Sequence, residues 1–137
     1  MMRRGFTISG PGAAGLTLAA AVLTLAAASV YAVTEAGRPA GDPVHGKIVY
    51  QACMGCHSLD DDDVGPRHRG VVGRVAGTVP GYAYSPALKN SHIVWNQETL
   101  DRWLTNPQGL VPGAKMFFAM PQPQDRADVI AYLAEQR

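Results

Sequence analysis

Cysteine is scarce in this chain of 137 residues: there are two, and both fall in one stretch of five, so no structural disulfide framework is available. Runs of Lys or Arg are missing, and a formal net charge of +1 offers no electrostatic footprint for nucleic acid. Aromatic residues are few, and most lie after residue 80, so a core built on rings must draw on the C-terminal half. The length allows one domain plus, at most, an extension.

Long uncharged apolar stretches are confined to the N-terminus. Arg3 and Arg4 precede an Ala/Leu-rich run from Ala13 to Ala28, and Val30-Tyr31-Ala32 places acceptable residues before a signal peptidase cut. Residues 1–32 read as a signal peptide; the rival is an N-terminal membrane anchor, since Ala13–Val33 is about long enough to cross a bilayer. Both readings put the remainder outside the cytoplasm, with a periplasmic location expected. Cleavage would leave ten basic and eleven acidic side chains, a net charge of −1. Val33 to Gly41 is a polar lead-in read as a linker, and residues 42–137 form the expected domain.

The two cysteines belong to Cys53-Met54-Gly55-Cys56-His57, a C-x-x-C-H pattern that points to covalent haem attachment. Each thiol adds across one haem vinyl group, so both sulfurs must reach neighbouring edges of one porphyrin. The His then lies beneath the ring as the proximal iron ligand. A thioredoxin-like redox pair has no use for the adjacent His. A zinc site needs about four protein ligands, and there is no second cysteine pair.

Asp42-Pro43 reads as a helix start, N-cap and first-turn proline, for a helix running to about Cys53. Val44, Ile48, Val49 and Ala52 are its expected apolar stripe, and Gly46 suits close approach by another helix. Asp60 to Asp63 reads as a solvated, mutually repelling loop, lacking the Gly and distal Glu of a calcium loop. The carbonyl of Pro66 is placed to accept from Nδ1–H of His57, an outer contact that orients a ligating imidazole. His68 reads as a surface residue. Arg74 is expected to be partly buried as partner to a haem propionate. Asn96 can cap a helix from Gln97 to Thr105 with Leu100, Trp103 and Leu104 inward, ended by Asn106-Pro107. The stretch from Pro107 to Pro123 reads as irregular. A last helix, about Gln124 to Glu135, turns Val129, Ile130 and Leu133 to one side, with Tyr132 a candidate to pack on Gly46.

With Gly46-Lys47, Gly65-Pro66, Gly73-Arg74, Pro80-Gly81-Tyr82-Ala83-Tyr84, Trp95, Asn106-Pro107, Pro112-Gly113-Ala114-Lys115-Met116 and Arg126 to Leu133 in this order around Cys53-Met54-Gly55-Cys56-His57, the chain from Gly41 to Arg137 resembles a class I cytochrome c, the single-haem bacterial and mitochondrial type. The resemblance implies an all-α cytochrome c fold, its first and last helices crossed, with helices and loops wrapped around one covalently attached haem c. It implies His57 as proximal and Met116 as distal ligand of the iron, with Met120 the rival thioether. It places Tyr84, Trp95 and Arg74 near the propionates and Phe118 at the exposed haem edge. Trp103, Ala114 and Leu88 depart from the family's usual Tyr, Thr and Asn, leaving the distal side short of polar groups.

The function so implied is an exported one-electron shuttle between respiratory or dehydrogenase partners, not an enzyme. Redox proteins would dock transiently at the haem edge of a monomer, and a membrane would be involved only if the N-terminus stays uncleaved. Two rivals accompany it. One is a haem peroxidase or gas-binding protein with a displaceable Met116, and the other a membrane-tethered cytochrome subunit of a complex.

Overall fold

In the computed structural model, which describes Gly37 and residues 39–137, the first helix begins where Asp42-Pro43 directs. The expected signal peptide or anchor, residues 1–32, lies outside the described residues, as does most of the linker. Asp42 caps α1 (Pro43–Val49), its side chain accepting from the Val44 N–H at 2.8 Å. The helix then tightens into a 3-10 turn, Tyr50–Ala52, that runs straight into the cysteine motif. Four further helices follow among the described residues: α2 (Pro86–Lys89), α3 (Gln97–Thr105), α4 (Pro107–Leu110) and α5 (Pro123–Glu135).

A short two-residue bridge between Val75 and Val94 is the sole β pairing among the described residues, so the domain is all-α with long loops. It braces the loop after the cysteine motif: Trp95 N–H donates to Arg74 O at 2.9 Å, and Gly73 N–H to Trp95 O at 2.7 Å.

α1 and α5 cross at Gly46. A Cβ built on Gly46 would overlap the Asp128 backbone carbonyl and come within 2.9 Å of Tyr132 Cβ, so hydrogen is the one side chain that lets the helices approach this closely. The crossing also changes which face of α1 is inside. Val44 and Ile48, expected inward, are 76% and 60% exposed, while Gly46 and Tyr50 are buried. Apolar spacing alone proposed a stripe; the glycine contact rotated it.

α3 is fastened by a reciprocal box in which Asn96 Oδ1 accepts from Thr99 N–H at 2.9 Å and Thr99 Oγ1 from Asn96 N–H at 2.8 Å. Its inner face, Leu100, Trp103 and Leu104, packs with Val129, Ile130 and Leu133 of α5, as the sequence indicates. Each such side chain contributes about 1.5–3 kcal/mol on leaving water. Buried Arg126 of α5 ties this corner together, donating to Asp101 Oδ1 at 2.7 Å, Met120 O at 2.9 Å and Pro121 O at 3.0 Å.

The one-turn helix α4 falls in the stretch read as irregular, and α2 in one for which the sequence reading assigned no helix. Each starts from a side-chain cap followed by proline, Ser85-Pro86 and Asn106-Pro107. The acidic loop is less self-repelling than its sequence suggests. Asp60 pairs with Arg69 at 2.5 Å and Asp62 with Arg67 at 3.0 Å, exposed contacts of modest worth that fold the run back on the loop that follows.

Candidate functional site

The helical turns continue through the cysteine motif. Cys56 N–H and His57 N–H both donate to Cys53 O, at 3.1 and 2.9 Å, so Cys53, Cys56 and His57 share one face of a turn. The chain then folds back on itself: Gly65 N–H reaches Cys56 O at 2.6 Å, and the Pro66 carbonyl accepts from Nδ1 of His57 at 2.7 Å. That bond leaves Nε2 as the ring nitrogen available to a metal. Gly65 crosses so near the ring that any Cβ there would collide with the His57 imidazole.

These residues form one wall of a cavity of about 290 Å³. Cys53, Cys56, His57, Pro66, Arg74, Tyr84, Trp95, Met116 and Phe118, separate in sequence, all line it. Trp103, packed on Trp95 with ring centroids 5.3 Å apart, and Leu88 line it too. Met120 does not: it is 5% exposed in the core, with its amide tied to Leu104 O at 2.7 Å. Arg74 is half-buried, and its guanidinium is spent on backbone carbonyls: Gly70 O at 3.2 Å, Arg67 O at 3.0 Å, and Arg69 O. It therefore shapes the loop between Arg67 and Gly70 as well as facing the cavity. Phe117 and Phe118 are 76% and 46% exposed at the rim.

The protonation states fit a metal-binding imidazole and disfavour a redox dithiol. Burial pulls the His57 pKa below its usual value against the opposing Pro66 hydrogen bond, keeping the ring neutral and able to coordinate. Burial, with Cys56 adding to it, pushes the Cys53 thiol up to about 11. Reactive redox cysteines have depressed pKa values, so the thioredoxin-like reading loses ground.

Three residues matter here that the sequence left unmarked or misread. His68 is not a surface residue. Its ring stacks on His57 with centroids 4.0 Å apart and planes 21° apart, and Tyr50 Oη meets its Nδ1 at 3.1 Å. Burial, helped by His57 and Arg74, pushes its pKa down to about 3, so a second neutral imidazole lines the cavity. Gln108, in α4, reaches the loop that carries Met116: its Nε2 donates to Ala114 O at 2.8 Å and Met116 O at 2.9 Å, and its Oε1 accepts from Gly113 N–H at 3.2 Å. Gly65 is the third, through its contact with His57. Only Gly65 had a signal in sequence, its place beside Pro66.

Among the described residues a second group of metal-ligating type lies outside this cavity, His45 with Asp125 and Asp128, their ligand atoms within 4.8 Å of one another. Asp128 already accepts from Asp42 N–H at 2.7 Å, Gln124 Nε2 at 2.8 Å and His45 Nδ1 at 2.7 Å, so its oxygens are occupied by the protein. It works as a staple between α1 and α5.

Two thiols on a turn, an imidazole anchored through its far nitrogen, and a thioether on a loop, all around one largely apolar cavity in an all-α domain, define a c-type haem protein. The chain belongs to the cytochrome c family, whose profile matches residues 43–137. It is 50% identical over 101 residues to cytochrome c2 of Rhodomicrobium vannielii, covering 71% of this chain and 81% of that protein. To cytochrome c 2.1 of Caenorhabditis elegans it is 48% identical over 99 residues, covering 69% and 89%. In structure it is similar to cytochrome cH from Methylobacterium extorquens, with a TM-score of 0.67 and 43% identity over 69% of this chain and 98% of that one. The fold is thus that of a class I cytochrome c. The protein carries haem c covalently and serves as a single-haem electron carrier for redox partners rather than as an enzyme.

Proposed function

We propose that the protein is an exported, periplasmic electron shuttle whose haem is attached through Cys53 and Cys56 and whose iron is held by His57 and Met116. In this reading residues 1–32 are a signal peptide removed on export, residues 33–41 a linker and residues 42–137 the haem domain. The observation that carries it is the gathering of both thiols, the anchored His57 ring and the Met116 thioether on one cavity, with the rival Met120 shut in the core.

The haem supplies one-electron exchange between ferric and ferrous iron; the chain's residues govern how that exchange proceeds. His57, held by the Pro66 carbonyl and bounded by Gly65, keeps its orientation in both oxidation states. Met116 and His57 would both hold the iron, and with two ligands from the protein the metal would be closed to substrates, leaving electron transfer as its chemistry. Trp95, Trp103 and Leu88, which line the cavity, would keep water from the haem, and Tyr84 and Arg74 on the same cavity would face its propionates. Exposed Phe117 and Phe118 give redox partners an apolar contact at the haem edge, suited to a small and short-lived interface.

The test is the optical spectrum of the ferric protein purified from the periplasm, with a mature chain expected to begin at Val33. A far-red sulfur-to-iron charge-transfer band in wild type, lost in Met116→Ala, is the expected result. No band in wild type, with immediate binding of cyanide, would move the peroxidase or gas-binding reading ahead.

A further inference from the structure

We propose that Gln108 is a latch on the distal loop, a positioning residue that acts through Met116 and sets how readily an outside ligand displaces it. The inference rests on Met116 being the distal ligand. Its geometry is independent of that reading.

The Gln108 amide spends both protons and one lone pair on a single loop. Nε2 donates to Ala114 O at 2.8 Å and to Met116 O at 2.9 Å, and Oε1 accepts from Gly113 N–H at 3.2 Å. The anchored end is firm. Gln108 sits in α4, where Asn106 Oδ1 caps Gly109 N–H at 2.9 Å and Pro107 is fully buried. The latched end is otherwise loose. Among the described residues, the backbone from Lys115 to Ala119 makes one hydrogen bond to protein, the one Met116 O accepts from Gln108. Gly113, with φ of 87°, supplies the turn that lets the loop double back on α4. Lys115 adds an exposed tie, Nζ to Ala83 O at 2.5 Å, from the other side.

Where the Met116 thioether leaves the cavity by a swing of the loop backbone, its carbonyl moves too, and the Nε2 bond to that carbonyl breaks in the same motion. The bonds to Gly113 and Ala114 hold the two sides of the turn about which that motion would pivot. Gln108 therefore opposes opening, and opening is what separates a closed electron carrier from a haem protein that binds exogenous ligands or peroxide.

The experiment mixes ferric holoprotein with imidazole and follows loss of the far-red band by stopped flow, for wild type, Gln108→Ala and Gln108→Glu. Glu keeps an acceptor for Gly113 N–H and cannot donate to the two carbonyls. Loss of these partly buried bonds predicts displacement about tenfold faster or more in both variants. The global unfolding constant, from denaturant titration of the same proteins, should rise by a clearly smaller factor. Rates within about twofold of wild type overturn the latch, as does an unfolding constant that rises by the same factor as the rate, since exchange would then run through unfolding. A wild type that lacks the band refutes Met116 ligation and the latch with it, and is told apart by the starting spectrum.

Discussion

At the scale of single residues, the domain depends on a few polar groups whose partners lie far away in sequence. Asp128 is the clearest: buried in α5, it holds the first amide of the α1 cap and the ring of His45. The hydrogen bond from His45 to Asp128 raises the His45 pKa above 6.5. Burial would push Asp128 upward, but the bonds from Asp42 N–H, His45 and Gln124 outweigh it and hold the carboxyl below 3.8. A raised histidine contributes stability that is complete below its ordinary pKa and is lost as pH climbs through the raised value. A depressed carboxylate contributes above its ordinary pKa and loses that contribution as pH falls through the lowered one. The pair is therefore worth most in the window between, near about pH 5. Thermal melts of wild type and His45→Gln should differ most there, and the gap should close as pH rises past the His45 value. A gap constant from pH 5 to 9 would contradict this account. None of this staple was legible in the sequence, and nor were the latch at Gln108 or the stacking of His68. A lone His or Gln carries no periodic signal, and its partners are fixed by how loops fold back. Cys53, Cys56 and His57 were legible because the chemistry dictates their spacing within one turn. Pro66 was legible because it follows them at loop distance.

At the scale of elements, the sequence reading was right for the two longest helices and less complete for the shorter ones. α3 and α5 match expectation in extent and inner face. α2 and α4 have a side-chain cap and a proline but only one turn, too short for any apolar period to appear. α1 has a stripe in sequence that the structure does not bury, because contact at Gly46 turns Val44 and Ile48 outward. The crossing gives a prediction in which two effects oppose. Gly46→Ala gains about 1 kcal/mol in helix propensity. It also drives a methyl group into the Asp128 backbone and Tyr132 Cβ, and overpacking of that kind costs about 1–3 kcal/mol. The obstruction is backbone, which cannot rotate aside, so the steric cost wins. Denaturant titration should find Gly46→Ala less stable than wild type, while Val44→Ala, on the exposed face, should change stability little. A more stable Gly46→Ala would mean the helices can separate at no cost.

For the whole molecule, the decisive question is what fills the middle. The helices are 7, 4, 9, 4 and 13 residues long, and isolated helices shorter than about 12–15 residues are marginal in water. Their stability must come from packing, yet inward faces of α3 and α5, through Leu100, Trp103, Leu104 and Leu133, open on the haem cavity. The haem would cover those side chains, and each contributes about 1.5–3 kcal/mol when taken out of water. The haem therefore completes the core, and its covalent attachment holds it in place. A Cys53→Ser/Cys56→Ser protein, made without attached haem, should lose its cooperative thermal transition and its near-ultraviolet circular dichroism, with helix content reduced. A sharp melt and a native-like near-ultraviolet spectrum in that variant would mean that α1, α3 and α5 hold one another unaided. Contact between α1 and α5 at Gly46, and between α3 and α5 through Arg126 and Asp101, would then suffice for the fold. Helices this short point the other way: those contacts arrange them, and the group they enclose makes the arrangement stable.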